Sequence, residues 1–334
     1  MKLNLKRAFV PLLTVAMLGA TSLSSMAQEL QKISVRLAWI AGGVDVPMFV
    51  AASKGYFRDA GLDVEIVDGN GSTGTIQAIG SGDFQIGIAG LGALAQAQQA
   101  AGADTIIAVA GLLQKDPTSI IALETSGIKE PKDIEGKRLG IDAGGFEDSM
   151  MTAFAEAAGV DLDKVEIIMI GGGGDRVALL KGDVDFVSGW ANPDGDKIAL
   201  QAPINPPIVF ADYGVNVLGS SVIVRKDWLA EHGDAVKGFL AALQKGKEET
   251  VAHPDEALAI FMEARPDSSE EGIKSEMTVM PKYEHTANSE GKAYGWVAEE
   301  DVATTISLLE KYSAMKPGLT PVSIYDGSYL PPTE

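Results

Sequence analysis

The chain has 334 residues, a hydrophobic fraction of 46%, 22% charged residues and a formal net charge of −19. Acidity on that scale repels nucleic acid and anionic lipid, so neither is an expected partner. The absence of cysteine excludes disulfides, thiol nucleophiles, Cys-based zinc sites and the cysteine to which a bacterial lipoprotein signal attaches lipid.

The chain opens like an export signal. Lys2, Lys6 and Arg7 are positive, residues 8–20 are apolar but too short to span a bilayer, and Ser25-Met26-Ala27 has a small-x-small cleavage shape. Residues 1–27 are therefore expected to be removed, leaving an untethered protein that starts near Gln28. Residues 33–39 alternate as a first strand. Residues 47–60 predict a helix with Pro47 near its start and Gly61 as its stop, followed by a strand over 62–67. Residues 93–101 read as a helix, and 105–113 and 118–123 as strands. Residues 124–133 are polar and turn-rich and predict a change of lobe before a strand at 138–141. A helix over 149–158 ends at Gly159. Residues 189–196 form a small-residue loop carrying Trp190, 208–210 a strand, and 221–224 another, with the return crossing near Tyr213 to Asn216. The rest predicts helices over 234–251, 254–263 and 299–315. One more is opened by the Ser268-Ser269-Glu270-Glu271 capping signal.

Two stretches repeat one another one hundred positions apart: Gly71, Gly74, Ala78, Gly82 and Asp83 recur as Gly171, Gly174, Ala178, Gly182 and Asp183. Each copy lies between strand-like runs, so the unit is strand, Gly-rich turn, short helix, Gly-Asp turn, strand. A duplicated unit predicts two similar α/β lobes with a ligand between their Gly-rich helix starts. The expected division is a signal at 1–27, lobe I at 28–120, lobe II at 121–214, and a return to lobe I with C-terminal helices at 215–334.

Ala51-Ala52-Ser53-Lys54-Gly55-Tyr56-Phe57, then Ala60-Gly61-Leu62-Asp63-Val64, resembles a signature of periplasmic solute-binding proteins. The branch is the one serving ABC importers of nitrate, sulfonates, taurine and thiamine pyrimidine precursors. Pro131-Lys132-Asp133-Ile134-Glu135-Gly136-Lys137-Arg138-Leu139-Gly140 and the two Gly-Asp turns resemble it as well. The resemblance implies a two-lobed, type II (Venus-flytrap) periplasmic-binding-protein fold with two chain crossings, a solute in the interlobe cleft, a periplasmic location and importer membrane subunits as partners. The sequence departs from the pyrimidine binders in having Ala38 before Trp39 and Ile40-Ala41-Gly42-Gly43 after it. It departs from the sulfonate and nitrate binders in having Ser72-Thr73 alone as a hydroxyl-rich anion loop.

Trp39 ends the first strand, where ligand clefts of α/β sheets lie, and either stacks on a flat ligand or caps the sheet. Trp190 follows the repeat strand of the second lobe, beside Asn192. Two such rings, one from each lobe, would sandwich an aromatic solute. Ser72, Thr73 and Gly74 start a helix able to hold an anion or simply to be capped. Residues 69–74 spell G-x-G-x-x-G, but no acid for a ribose ends the next strand, so Gly90 and Leu91 read as a close backbone approach or a tight turn. Gly145, Phe146 and Glu147, like Asp45, precede helices, where an acid either complements the helix dipole or pairs with an amine. Arg176 is the nearest candidate cation. Tyr213 and Asn216, with Gln114, belong to the crossings as hinge or cleft groups.

His232, His253 and His285 lie outside the repeats and read as surface residues, and no triad order exists. The expectation is thus a monomeric receptor without enzymatic activity, metal or cofactor. It would bind a small flat or anionic solute, a thiamine-precursor-like pyrimidine or aromatic compound ahead of sulfonate, taurine or nitrate. The competing class is an exported pyrimidine-synthesis-type enzyme on the same fold.

Overall fold

The structure is a computed structural model that describes residues 29–101, 105–142, 146–170, 174–191 and 194–332. Strand β1 (Gln31–Arg36) sends Ile33 and Val35 into the core and leaves Ser34 and Arg36 on its other face. There follow α1 (Val46–Ser53), α2 (Tyr56–Asp59), β2 (Leu62–Val67), α3 (Ser72–Ser81), β3 (Ile86–Gly90), α4 (Leu91–Ala101) and β4 (Ile106–Gly111). The middle of the chain contributes β5 (Thr118–Ile121), β6 (Arg138–Asp142), α5 (Phe146–Ala158), β7 (Glu166–Ile170), α6 (Asp175–Lys181), β8 (Phe186–Trp190), α7 (Asp194–Ala199) and β9 (Ile208–Val209). After β10 (Ser220–Arg225) the chain is helical: α8 (Lys226–Ala252), α9 (Pro254–Ala264), α10 (Glu270–Val279), α11 (Glu299–Tyr312) and α12 (Pro321–Ile324).

The strands form two five-stranded mixed sheets with one plan. The first has the order β2-β1-β3-β10-β4 and the second β7-β6-β8-β5-β9. In each, three parallel strands carry a fourth that runs antiparallel. The repeat read from the sequence is the α3 and α6 units of this plan. Gly82 and Gly182 end those helices in the left-handed region, at φ 85° and 78°. Gly82 N–H donates to Ile79 and Asp83 N–H to Ala78; Gly182 N–H donates to Leu179 and Asp183 N–H to Ala178. Glycine reaches that conformation without a Cβ penalty, which is why Gly-Asp recurs.

Helices cover both faces of the first sheet. Phe57 stacks on Phe239 at 5.1 Å and Phe49 meets Phe261 edge-on at 5.0 Å, locking α1, α2, α8 and α9 together. Gly246 of α8 lies so near α1 that a Cβ there would stand 2.1 Å from the Pro47 carbonyl oxygen. The second sheet buries Leu139, Phe186 and Ile120 beneath α5, where Phe154 stacks on Phe210 at 4.4 Å. Helix α11 packs Val302, Ile306 and Leu309 into the first lobe and lays Leu308 and Tyr312 against the second. No helix among the described residues is long and apolar enough to cross a membrane.

Local expectations change in several places. The helix predicted over 47–60 is broken at Gly55 (φ 81°) into α1 and α2. The helix expected from residue 234 begins at Lys226 and is kinked at His232. Strand β5 pairs with β8 and β9, so the chain leaves the first sheet between Gly111 and Thr118, ahead of the predicted boundary at 120 and of the polar 124–133 segment. It returns between Val209 and Ser220. Trp190 is the last residue of β8, paired with Thr118, rather than a loop residue. His232 and His285 are half-buried rather than at the surface, and His253 is exposed.

Candidate ligand-binding cleft

Residues that follow strands of both sheets meet in one apolar cluster. Trp190, at the end of β8, packs in one apolar cluster with Leu113, Met280 and Tyr283, and with Val44, which follows β1. The two crossings run side by side through Asn216. Its Nδ2 donates to the Gln114 carbonyl at 2.8 Å, and its Oδ1 accepts from the Asp116 N–H at 2.8 Å. Lys115 and Asp212 add an ion pair at 2.6 Å between the same two segments. Gln114 is fully buried, donates to the Trp296 carbonyl at 2.7 Å and leaves its Oε1 without a partner.

Trp39 is 61% exposed, and Ile40 beside it 64%. A sheet-capping tryptophan would be covered; this one is held out by its backbone. Gly69 N–H donates to the Trp39 carbonyl (3.0 Å), Gly71 N–H to that of Ala38 (2.7 Å), and Ala41 N–H to Asp68 Oδ1 (3.1 Å). The glycine-rich run after β2 exists for this contact and for α3. A Cβ on Gly69 would stand 1.9 Å from the Leu37 carbonyl oxygen, Gly71 has φ 120°, and a Cβ on Gly74 would meet Asn70 Oδ1 at 2.4 Å.

Gly71 is the N-cap of α3, and no side chain caps that terminus. Ser72 Oγ instead accepts from Gly90 N–H at 3.1 Å, and Leu91, buried in the core, donates its N–H to the Gly219 carbonyl at 3.0 Å. Thr73 is exposed in the first turn. In the second lobe, Gly145 and Asn192 lie outside the described residues, and Phe146 and Glu147 open α5. Tyr213 stands edge-on to Phe154 at 5.4 Å, within the second lobe's own packing. Arg176 is exposed on α6.

Asp45 is the electrostatically unusual group. It is buried, accepts from Gly42 N–H at 2.9 Å, and is pushed up to about 7. Burial is the main cause; the Glu276 and Asp68 carboxylates add to it, while the Gly42 N–H and Arg265 oppose it. Glu276 is raised too, chiefly by its own burial, and its Oε2 accepts from Gly43 N–H at 2.6 Å. Sequence reasoning singled out Asp45 but not Glu276, Asp68 or their neighbour Ser275. These come from α10 and the end of β2, and the only local hint is the Gly42-Gly43 pair. A Cβ on Gly43 would stand 2.4 Å from that of Glu276.

Two α/β lobes built to one plan and joined by paired crossings define the periplasmic-binding-protein fold. The periplasmic aliphatic sulphonate binding protein SsuA of Escherichia coli shares it with a TM-score of 0.70 at 18% identity, over 92% of this chain and 95% of that one. Residues 44–257 match the family described as NMT1/THI5 like, and the chain belongs to it. The relatives include a formylaminopyrimidine-binding protein of Halalkalibacterium halodurans, 25% identical over 256 residues (72% of this chain, 73% of that one). They also include a 4-amino-5-hydroxymethyl-2-methylpyrimidine phosphate synthase of Legionella pneumophila, 24% identical over 247 residues (72% and 76%). This chain is thus similar both to a protein named as a binding protein and to one named as an enzyme.

Proposed function

We propose that this chain is the periplasmic substrate-binding component of an ABC-type importer. It takes up a small flat solute, a thiamine-precursor-like pyrimidine or related aromatic compound, between its lobes, and the membrane subunits of the importer are its partners. Export through the signal at residues 1–27 belongs to this reading. The exposed Trp39, in the turn three residues beyond the end of β1 at Arg36, carries it, because an indole held out from the fold by a loop that two backbone bonds and one bond to Asp68 fix in place is suited to stacking on a ring. Trp190, the last residue of β8 in the second sheet, would supply the second ring. The pyrimidine-binding relative supports the same class of solute. The site residues of the proposal are Trp39, Asp45, Ser72, Thr73, Gly74, Gly90, Leu91, Gly145, Phe146, Glu147, Trp190, Asn192 and Tyr213.

Closure follows if the solute binds the closed arrangement more tightly than the open one. A thermal-shift screen with aminopyrimidines, aromatic acids, alkanesulfonates, taurine and nitrate tests this. A ring compound at one hundred times its Kd stabilises the native state by about 2.7 kcal/mol. A response to taurine or nitrate alone would replace the aromatic class with the anionic one. A second reading, an exported pyrimidine-synthesis enzyme, is favoured by the synthase relative. Against it, His232 meets Gln31 at the amino end of β1, opposite the cleft end, and His253 is exposed. Conversion of a candidate substrate, lost on replacing Asp45, is the result that would favour the enzyme.

A further inference from the structure

Helix α10 belongs to neither repeat, yet it touches both tryptophan-bearing segments. On one side, Glu276 grips the loop that follows Trp39: its Oε2 accepts from Gly43 N–H at 2.6 Å and would stand 2.8 Å from a Cβ on Gly42. On the other side, Ser275 Oγ donates to Asp196 Oδ2 at 2.6 Å, and Asp196 lies on α7 of the second lobe. Helix α7 begins at Asp194, whose Oδ2 accepts the N–H of Trp190 at 3.0 Å. Lys197 and Asp196 of that helix also lie close enough to act on the Glu276 carboxyl. A continuous set of contacts thus runs from the Trp39 loop through Glu276 and Ser275 to Asp196, Asp194 and Trp190.

Across this bridge the contacts are of two kinds. Glu276 to Gly43 joins α10 to the loop that follows β1 of the first sheet. Ser275 to Asp196 joins α10 to α7, which follows β8 of the second sheet. A hydrogen bond to a carboxylate is among the stronger ones available to a side chain, and one made only in the closed arrangement biases that arrangement.

We propose that Ser275 and Glu276 are positioning residues for solute capture: Ser275 fastens the closed lobes through Asp196, while Glu276 fixes the Trp39 loop on which the solute rests. This deepens the receptor reading and rests on it for the role of the solute. In the closed state the bridge slows solute release and leaves capture by the open state unchanged.

The cysteine-free chain allows a clean test. Spin labels on Asp63→Cys in the first lobe and Lys181→Cys in the second, both exposed positions, report the interlobe distance with no solute present. Ser275→Ala is expected to move the distribution towards longer distances, and Ser275→Thr, which keeps the hydroxyl, to restore it. With the best-binding aminopyrimidine, Ser275→Ala is expected to raise the dissociation rate roughly tenfold with little change in association rate. Glu276→Ala is expected to weaken binding of the same aminopyrimidine. An unchanged distance distribution in Ser275→Ala overturns the latch. An unchanged affinity in Glu276→Ala overturns the role given to Glu276. If no pyrimidine binds, the receptor reading of the solute fails while the distance measurement still decides the latch.

Discussion

Gln85 and Asp185 hold equivalent places in the two sheets. Gln85 Oε1 accepts from Ser34 N–H at 2.9 Å at the start of the first sheet's central parallel pair, and Asp185 Oδ2 accepts from Arg138 N–H at 2.8 Å in the second. Each residue returns its own N–H to the carbonyl of the same partner, at 3.2 Å and 2.8 Å. The duplicated unit therefore extends past the Gly-Asp turn to the side chain that anchors the next strand.

The two anchors differ in charge. Asp185 also forms a forked ion pair with the Arg138 guanidinium, with contacts at 2.9 Å and 3.1 Å, which holds its carboxyl below the usual range. Asp185→Ala should cost about 1–3 kcal/mol and Gln85→Ala about 1 kcal/mol. Urea unfolding monitored by circular dichroism measures both. Equal losses would show that the Arg138 fork adds nothing.

Gly69 ties the Trp39 loop to the end of β2. Gly69→Ala places a methyl 1.9 Å from backbone that no rotamer change relieves. It should therefore destabilise the fold by more than about 1–3 kcal/mol or expel the loop. Gly182→Ala meets open space and has only the left-handed φ of 78° against it, a cost of about 1 kcal/mol. Thermal unfolding of the two variants should rank Gly69→Ala as the more damaging, with solute binding impaired only there.

Asp45 predicts a pH signature with a definite sign. Its folded pKa of about 7 lies above the usual value of 3.8, so between those limits the native state holds a proton that the unfolded chain releases. That contribution to stability is fully present below about pH 4 and is lost as pH rises towards 7, at roughly 1.4 kcal/mol per pH unit. Asp45→Asn keeps an acceptor for Gly42 N–H and removes the titration. The stability difference between Asp45→Asn and the parent should grow in favour of the variant from pH 4 to 7 and be flat above. A difference constant with pH would mean that Asp45 ionises normally.

Trp39 separates binding from folding. Because the indole is largely exposed, Trp39→Ala should change stability by less than about 0.5 kcal/mol. It should nevertheless weaken binding of an aromatic solute by roughly tenfold, read by calorimetric titration. Undiminished affinity would move the solute away from this loop.

The fold was legible because its signals are local. A Gly-Asp pair ending a short helix states its backbone conformation in two residues, and its recurrence one hundred positions on exposed the duplication. The break at Gly55 was less visible, since Pro47 and Gly61 framed a plausible single helix. The sheet membership of β5 was hidden because its four buried residues fit either lobe, and only pairing with β8 decides. Among the candidate site residues, Asp45 was within reach because helix starts can be located from pattern, whereas the alternation read to Trp39 overran β1, which ends at Arg36. Ser275 and Glu276 were not. Their partners lie 79 and 233 positions away, and an α10 surface bearing Ser and Glu looks like any solvated helix face.

Closure of the lobes on an unaltered solute is read by small-angle X-ray scattering with and without the aminopyrimidine that most raises the melting temperature. The saturated protein should have a smaller radius of gyration, reversed when the solute is dialysed away and recovered unaltered. A saturated protein with the dimensions of the solute-free one, or a solute returned as a different compound, would contradict it.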